Sequence, residues 1–145
     1  MKKSIFTFVI LCCFVLGVAN AQQWGIGARL GLGESTGYSL DVKKYNPNTN
    51  MEFIGTYFDN NNLELTFLYQ WKTEFLTHFD FYYGYGASVG DYDNELGLNF
   101  DGVLGAEYFI PYSAFSLAVD WIPQFRLTPE RKFINNISFI FKYRF

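Results

Sequence analysis

The stretch from Ile134 to Phe145 alternates with a period of two. Ile137, Phe139, Phe141, Tyr143 and Phe145 share one face, while Asn136, Ser138, Lys142 and Arg144 share the other, interrupted only by Ile140. That period belongs to a β-strand with one oily and one polar side. Left as a bare edge in water, such a strand invites aggregation through its unpaired backbone and its aromatic face. A closed barrel in a lipid bilayer removes the difficulty. There the strand pairs on both sides, its aromatics meet lipid and its polar face looks inward.

The N-terminal stretch fits a chain bound for such a bilayer. Lys2 and Lys3 precede the apolar run Ile5 to Val18, and Ala19-Asn20-Ala21 follows it. This predicts a secretory signal peptide over residues 1–21, cleaved after Ala21, and a single domain over 22–145. The apolar run is shorter than the roughly 20 residues a spanning helix needs. A lipoprotein signal at Cys12 or Cys13 is not expected, because bulky Leu11 stands where a small residue is required. Cleavage removes the only two cysteines, so neither a disulfide nor thiol chemistry is expected. It also takes Lys2 and Lys3 from the 11 Lys+Arg, leaving nine against 14 Asp+Glu, a net charge near −5. An acidic chain of this kind is not expected to bind nucleic acid. Aromatic residues make up 21% of the sequence, yet the mean hydropathy is only +0.02. Strands whose polar half cancels the apolar half give that combination; membrane helices do not.

Eight such strands can be followed. In the first, Trp24, Ile26, Ala28, Leu30 and Leu32 alternate with Gly25, Gly27, Arg29, Gly31 and Gly33. A face of glycines and one arginine cannot build a soluble core, but it suits the crowded inside of a narrow barrel. Beyond a turn at 33–37, Tyr38, Leu40 and Val42 alternate with Ser39, Asp41 and Lys43. A turn centred on Ser35 sets Arg29 opposite Asp41 as an interior ion pair. The third strand, about Met51 to Phe58, is the least regular, because Ile54 and Phe58 break the alternation. Leu68 is the exception in the fourth strand, Leu63 to Trp71. The fifth carries Phe79 to Val89 outward, with His78, Asp80 and Tyr82 on the opposite side. The sixth carries Leu98 to Ile110, with Asn99, Asp101 and Glu107 facing in, and Pro111 ends it. The seventh runs from Phe115 to Trp121 with Asp120 inward, stopped by Pro123, and the stretch from Ile134 is the eighth. The expected fold is therefore all-β: an eight-stranded antiparallel up-and-down transmembrane β-barrel.

The runs Tyr83-Gly84-Tyr85-Gly86, 101–108 and 117–123 resemble small outer-membrane β-barrels of the OmpA/OmpX type, and the resemblance covers nearly all of 22–145. The ending Phe141, Tyr143, Phe145 is similar to the C-terminal signal by which bacterial outer-membrane barrels are recognised for assembly. What the resemblance implies is a location in the outer membrane of a Gram-negative bacterium, both termini in the periplasm, and outer-membrane lipid and the barrel-assembly machinery as partners. Counting strands then gives outer loops at 33–36, 59–62, 90–95 and 124–133, and inner turns at 46–50, 72–74 and 111–114. The relatives usually carry longer outer loops than inner turns, whereas here only the last outer loop, 124–133, is expected to be long, which speaks against loop-borne adhesion.

Chemistry has few candidates. His78 is the only histidine, in Thr77-His78-Phe79-Asp80. The lipid A palmitoyltransferases and deacylases among small barrels pair His with Ser, but no serine lies two residues on. Ser88 is ten residues along, roughly 33 Å at strand rise and beyond a proton relay. If the fifth and sixth strands turn at Tyr92-Asp93, His78 faces Glu107 as an interior hydrogen-bonding residue. The remaining constellation is an interior polar network of Arg29, Asp41, His78, Asp80, Asp101, Glu107, Asp120, Lys142 and Arg144, with Glu64 and Lys72 beside it. Lys142 and Arg144 are expected to partner Asp80 and Glu107. An eight-stranded barrel is only wide enough for side chains to fill, so these charges are expected to plug rather than conduct. Asp91, Asp93 and Glu95 form an acidic loop without the glycine-punctuated spacing of a Ca²⁺ loop. No catalytic residue, cofactor or metal is expected, and the role is structural or interactive. Two other readings stay open: a lipid-modifying enzyme, and a soluble periplasmic barrel holding a hydrophobic ligand, in which the faces are reversed.

Overall fold

In the computed structural model the described residues are 23–92, 94–128 and 130–145. The expected signal segment, residues 1–21, lies outside them. Eight strands form: β1 (Trp24–Gly33), β2 (Gly37–Tyr45), β3 (Thr49–Phe58), β4 (Leu63–Leu76), β5 (Phe79–Tyr92), β6 (Glu95–Phe109), β7 (Phe115–Thr128) and β8 (Lys132–Arg144). Each pairs antiparallel with its neighbours in chain order, and β8 pairs with β1 to close a barrel. Closure is completed by reciprocal backbone hydrogen bonds between Trp24 and Phe145, 3.1 and 2.8 Å long. We call the end where β1 begins and β8 finishes the near end, and the opposite one the far end.

The barrel is apolar outside and polar within. Leu40, Phe53, Leu65 and Phe139 are 68%, 60%, 59% and 52% exposed, whereas the residues between them are buried. This is the orientation a bilayer requires and the reverse of a soluble ligand-binding barrel. Aromatic rings gather on the outside near the near end: Trp71 lies against Tyr69, Tyr83 and Tyr85, Phe79 against Tyr108, and Phe115 against Phe141 and Tyr143. Amphipathic rings at one level mark the position of a membrane–water interface. Lys44 lays its ammonium 5.6 Å from the Trp24 ring centre at the same end, as a snorkelling lysine does.

The residues that break the alternation have a common explanation. Ile54, Leu68 and Ile140 all point inward. Ile54 and Leu68 join Tyr82, Val103 and Ile122 in an apolar cluster across the lumen. The third strand is thus regular, with Asn50, Glu52, Ile54 and Thr56 buried on one face.

Several boundaries differ from expectation. The turn expected at 72–74 is absent: β4 continues to Leu76, with an irregularity between Glu74 and Leu76, and the connection is Thr77-His78. The acidic loop expected at 90–95 shrinks to the two residues between Tyr92 and Glu95. The long loop expected at 124–133 is mostly strand, since β7 runs to Thr128 and β8 resumes at Lys132. Pro123 does not stop β7. Its ring sits over Gly102, where an added Cβ would lie 3.3 Å from the proline Cγ. The β6–β7 ladder skips Gly102 and Val103 there, so no donor is missed.

Candidate functional site

The lumen is crossed by one charged network, and every strand contributes to it. Arg29 of β1 is at its centre, with a guanidinium that donates from Nη1 and Nη2 to Asp120 of β7 at 3.1 and 3.0 Å. Nη2 also donates to Glu52 of β3 at 3.2 Å, and Nε to Asp41 of β2 at 3.4 Å. Lys142 of β8 donates to Glu52 at 2.6 Å and lies 3.5 Å from Asp41. Gln70 of β4 donates to the other Glu52 oxygen at 2.7 Å, and Tyr82 of β5 to Asp120 at 3.1 Å. Glu107 of β6 accepts from Lys43 at 3.0 Å and from Tyr45 and Ser116, each at 2.6 Å. The Lys43 ammonium also stands 4.0 Å from the centre of the Tyr82 ring.

This arrangement needs room that only glycine leaves. A Cβ on Gly27 would overlap Asp41 Oδ1 and come within 2.7 Å of Lys142 Cγ; one on Gly105 would come within 2.6 Å of both Asp120 Cβ and Tyr82 Cζ. All seven charged members are buried, with side-chain exposures of 0–2%. Charges out of water persist only when paired and hydrogen-bonded. Three cations and four carboxylates answer that requirement by facing one another across the barrel axis.

The expected site residues fall into three groups. Arg29, Asp41, Glu107, Asp120 and Lys142 meet in the central network. Arg29 reaches Asp41 diagonally rather than directly, because the register pairs Gly27 with Asp41 and Arg29 with Ser39. Asp101 is interior but belongs to a separate far-end cluster, where it accepts from Ser88 at 3.1 Å. Asp80, Arg144 and His78 lie at the near-end rim, outside the network. Asp80 faces Lys72 at 3.9 Å. Arg144 does not partner an acid: it stacks 4.4 Å from the Phe109 ring centre and donates to the Ser113 carbonyl at 3.5 Å. Lys142 partners Glu52 and Asp41 in place of Asp80 and Glu107.

The expectation of an interior His78 opposite Glu107 is incorrect. His78 is exposed in the β4–β5 turn with φ of 69°, and Glu107 pairs with Asp80. Its carbonyl accepts from the Phe109 amide at 2.8 Å. Histidine is among the residues that tolerate the left-handed region, so the position is set by the backbone. Ser113 lines the same near-end groove, but its hydroxyl is engaged by Ile110 and Phe115 of its own turn.

Sequence reasoning missed Glu52, the acceptor shared by Arg29 and Lys142, two of the three cations of the network. Ile54 obscured the phase of β3; the spacing Asn50, Glu52, Thr56 against Met51, Phe53, Tyr57 was the available signal. Among the described residues, no three His, Cys, Asp or Glu side chains converge as a metal site.

The far end opens into a cup of about 280 Å³. Asn60, Asn62, Asn135 and Asn136 line its walls, and Glu64, Tyr92 and Gln124 reach it from below. Arg126 lies over the Tyr92 ring at 3.7 Å, and Lys132 pairs with Glu34 at the rim at 2.6 Å.

No family model and no curated protein sequence matches this chain. Solved structures do. The N-terminal β-barrel domain of Pseudomonas aeruginosa OprF superposes with a TM-score of 0.68 at 9% identity, covering 86% of this chain and 100% of that one. Neisserial surface protein A superposes with a TM-score of 0.68 at 8% identity, covering 87% and 99%. The outer membrane enzyme PagL gives 0.55 at 13% identity, covering 82% and 98%. At these identities the likeness is one of fold. Closed by β1 and β8, polar within and apolar without, the chain has the fold of the small eight-stranded outer-membrane barrels.

Proposed function

We propose that this chain is a non-catalytic integral protein of the Gram-negative outer membrane, closed to solutes, acting as a structural element or through its far mouth. The near end faces the periplasm in this reading. Outer-membrane lipid surrounds the aromatic face, and the barrel-assembly machinery reads Phe141, Tyr143 and Phe145. The observation that carries the reading is the charged network drawn from all eight strands, which fills the lumen where a pore would run. An apolar layer of Ile54, Leu68, Val103 and Ile122 adds to it. The connections at the far end are short, which favours the rim and its cup over extended loops as the contact surface.

An enzymatic role is disfavoured by the place of His78 on an exposed turn, where Ser113, the serine lining the same groove, is hydrogen-bonded within its own turn. The direct test is electrical. Purified chain reconstituted in planar bilayers should insert without unitary conductance steps; steady, reproducible steps would overturn closure. In parallel, the lipid A profile of cells should be the same with and without the gene. A change reversed by the native chain but not by His78→Ala would replace this reading with an enzymatic one.

A further inference from the structure

Phe58 breaks the alternation of β3 without joining the apolar cluster that Ile54 enters. It carries the inward phase of Glu52, Ile54 and Thr56 on to the far end, where its half-buried ring lines the cup. Gly37 leaves the space for it, since a Cβ there would come within 3.1 Å of the ring. Ile134 of β8 lines the same cup. An otherwise polar mouth therefore has an apolar side.

On the polar side, groups that line the cup are left unengaged. Arg126 lies over the Tyr92 ring at 3.7 Å, which fixes its guanidinium in place. Its Nε is buried without a hydrogen-bond partner, and among the described residues no carboxylate lies within 4 Å of the guanidinium. Asn136 Oδ1 is likewise buried and unmet; its amide sits over Gly31, where a Cβ would come within 2.9 Å of that oxygen. Asn62 adds a half-buried side chain to the wall. Buried donors and acceptors rarely stay unmet. Formal charge around the cup cancels. Glu34 and Lys132 pair at 2.6 Å, and Arg126 is balanced by Glu64, whose own hydrogen bonds come from Thr66, Gln124, Asn99 and Tyr92.

We propose that the far-end cup binds a short neutral oligosaccharide. A sugar ring carries hydroxyls that both donate and accept, which answers amides and a guanidinium together. It also has an apolar C–H face, slightly positive, that rests on the negative face of an aromatic ring. Phe58 supplies that ring, and Arg126, Asn62 and Asn136 supply the polar contacts. A free anion would suit Arg126 alone, but not a cup whose charges cancel and which includes Glu64. Size agrees: the cup of about 280 Å³ is at the lower end of small-molecule sites, which begin at about 300 Å³. The inference rests on the reading of a closed barrel that acts through its far mouth. Unitary conductance steps would remove that reading, whereas a chain that stays closed and takes no sugar loses only the sugar site.

The test uses the full folded chain in a detergent without a sugar headgroup. Maltotriose, triacetylchitotriose and raffinose are titrated separately, and saturation-transfer NMR reads magnetisation passing from protein to sugar. At least one of them should bind saturably and receive transfer at its ring C–H protons. Phe58→Leu and Arg126→Gln should each weaken that binding about tenfold, the loss of a stacked ring or of a charged hydrogen bond. Phe53→Leu, on the outer wall, should leave it unchanged. A glycolipid bearing the bound sugar either displaces it, which places the ligand at the membrane surface, or does not, which places it in solution; both results keep the site. Binding of none of the three sugars would overturn the proposal. So would binding undiminished in both folded cup variants, or displacement of the sugar by inorganic phosphate at the same concentration. If either variant loses the fast mobility of the folded barrel on an unheated gel, Asn136→Ala takes its place.

Discussion

Removing Glu52 takes an acceptor from Arg29, Lys142 and Gln70 together. The two cations are then left in the lumen with fewer counter-charges and no water to replace them. Breaking a buried pair in this way costs about 3–5 kcal/mol. Glu52→Ala should therefore lower the urea midpoint of the folded barrel sharply, read from the fraction that keeps its fast mobility on an unheated gel. Glycine substitutions separate the two faces of the same wall. Gly27→Ala drives a methyl into Asp41 and Lys142 and should cost about 1–3 kcal/mol by overpacking. Gly55→Ala, which meets only Leu65 Cδ2 at 3.7 Å on the outside, should stay within about 0.5 kcal/mol. Equal effects on both would mean that the interior is not packed as described.

Strands were legible in the sequence, their registers less so. Alternation separates lumen from lipid at nearly every position, because a period of two leaves no third choice. It fixes a hairpin's register only to within steps of two residues, and the turn decides the rest. The expected pairing of Arg29 with Asp41 and of His78 with Glu107 each missed by one such step. In the β5–β6 hairpin the deciding residue is Asn94, which takes φ of 65°, a conformation asparagine tolerates. In β4 the polar residues Lys72, Thr73 and Glu74 suggested a turn, but they continue the ladder opposite Tyr82, Phe81 and Asp80. His78 carries the turn instead. Its role is conformational, so His78→Asn should leave stability unchanged, and His78→Val, β-branched at a positive φ, should cost about 1–3 kcal/mol. Equal stability of the two variants would show that the left-handed position places no demand on the residue there.

At the scale of the molecule, the interior inverts the usual core. Burial here is of charge and amide, satisfied across the axis, while the apolar surface is left outward for lipid. The central network was legible in kind but not in membership. Spacing put Arg29, Asp41, Glu107, Asp120 and Lys142 on the inner face, but which of them meet depends on strand tilt and on how far each chain crosses the lumen. The far-end cluster was illegible for the same reason, since Glu64, Ser88, Asn99, Asp101 and Gln124 lie on four strands. The outward direction of the aromatic face is the claim on which the rest depends, and the native tryptophans report on it. Trp24, Trp71 and Trp121 are the chain's three tryptophans and all face outward, 39–41% exposed. Reconstituted in vesicles whose acyl chains carry bromine, the protein should lose most of its tryptophan fluorescence, and aqueous iodide should quench little of it. Emission untouched by brominated lipid would contradict the account, because it would place the aromatic face away from the bilayer.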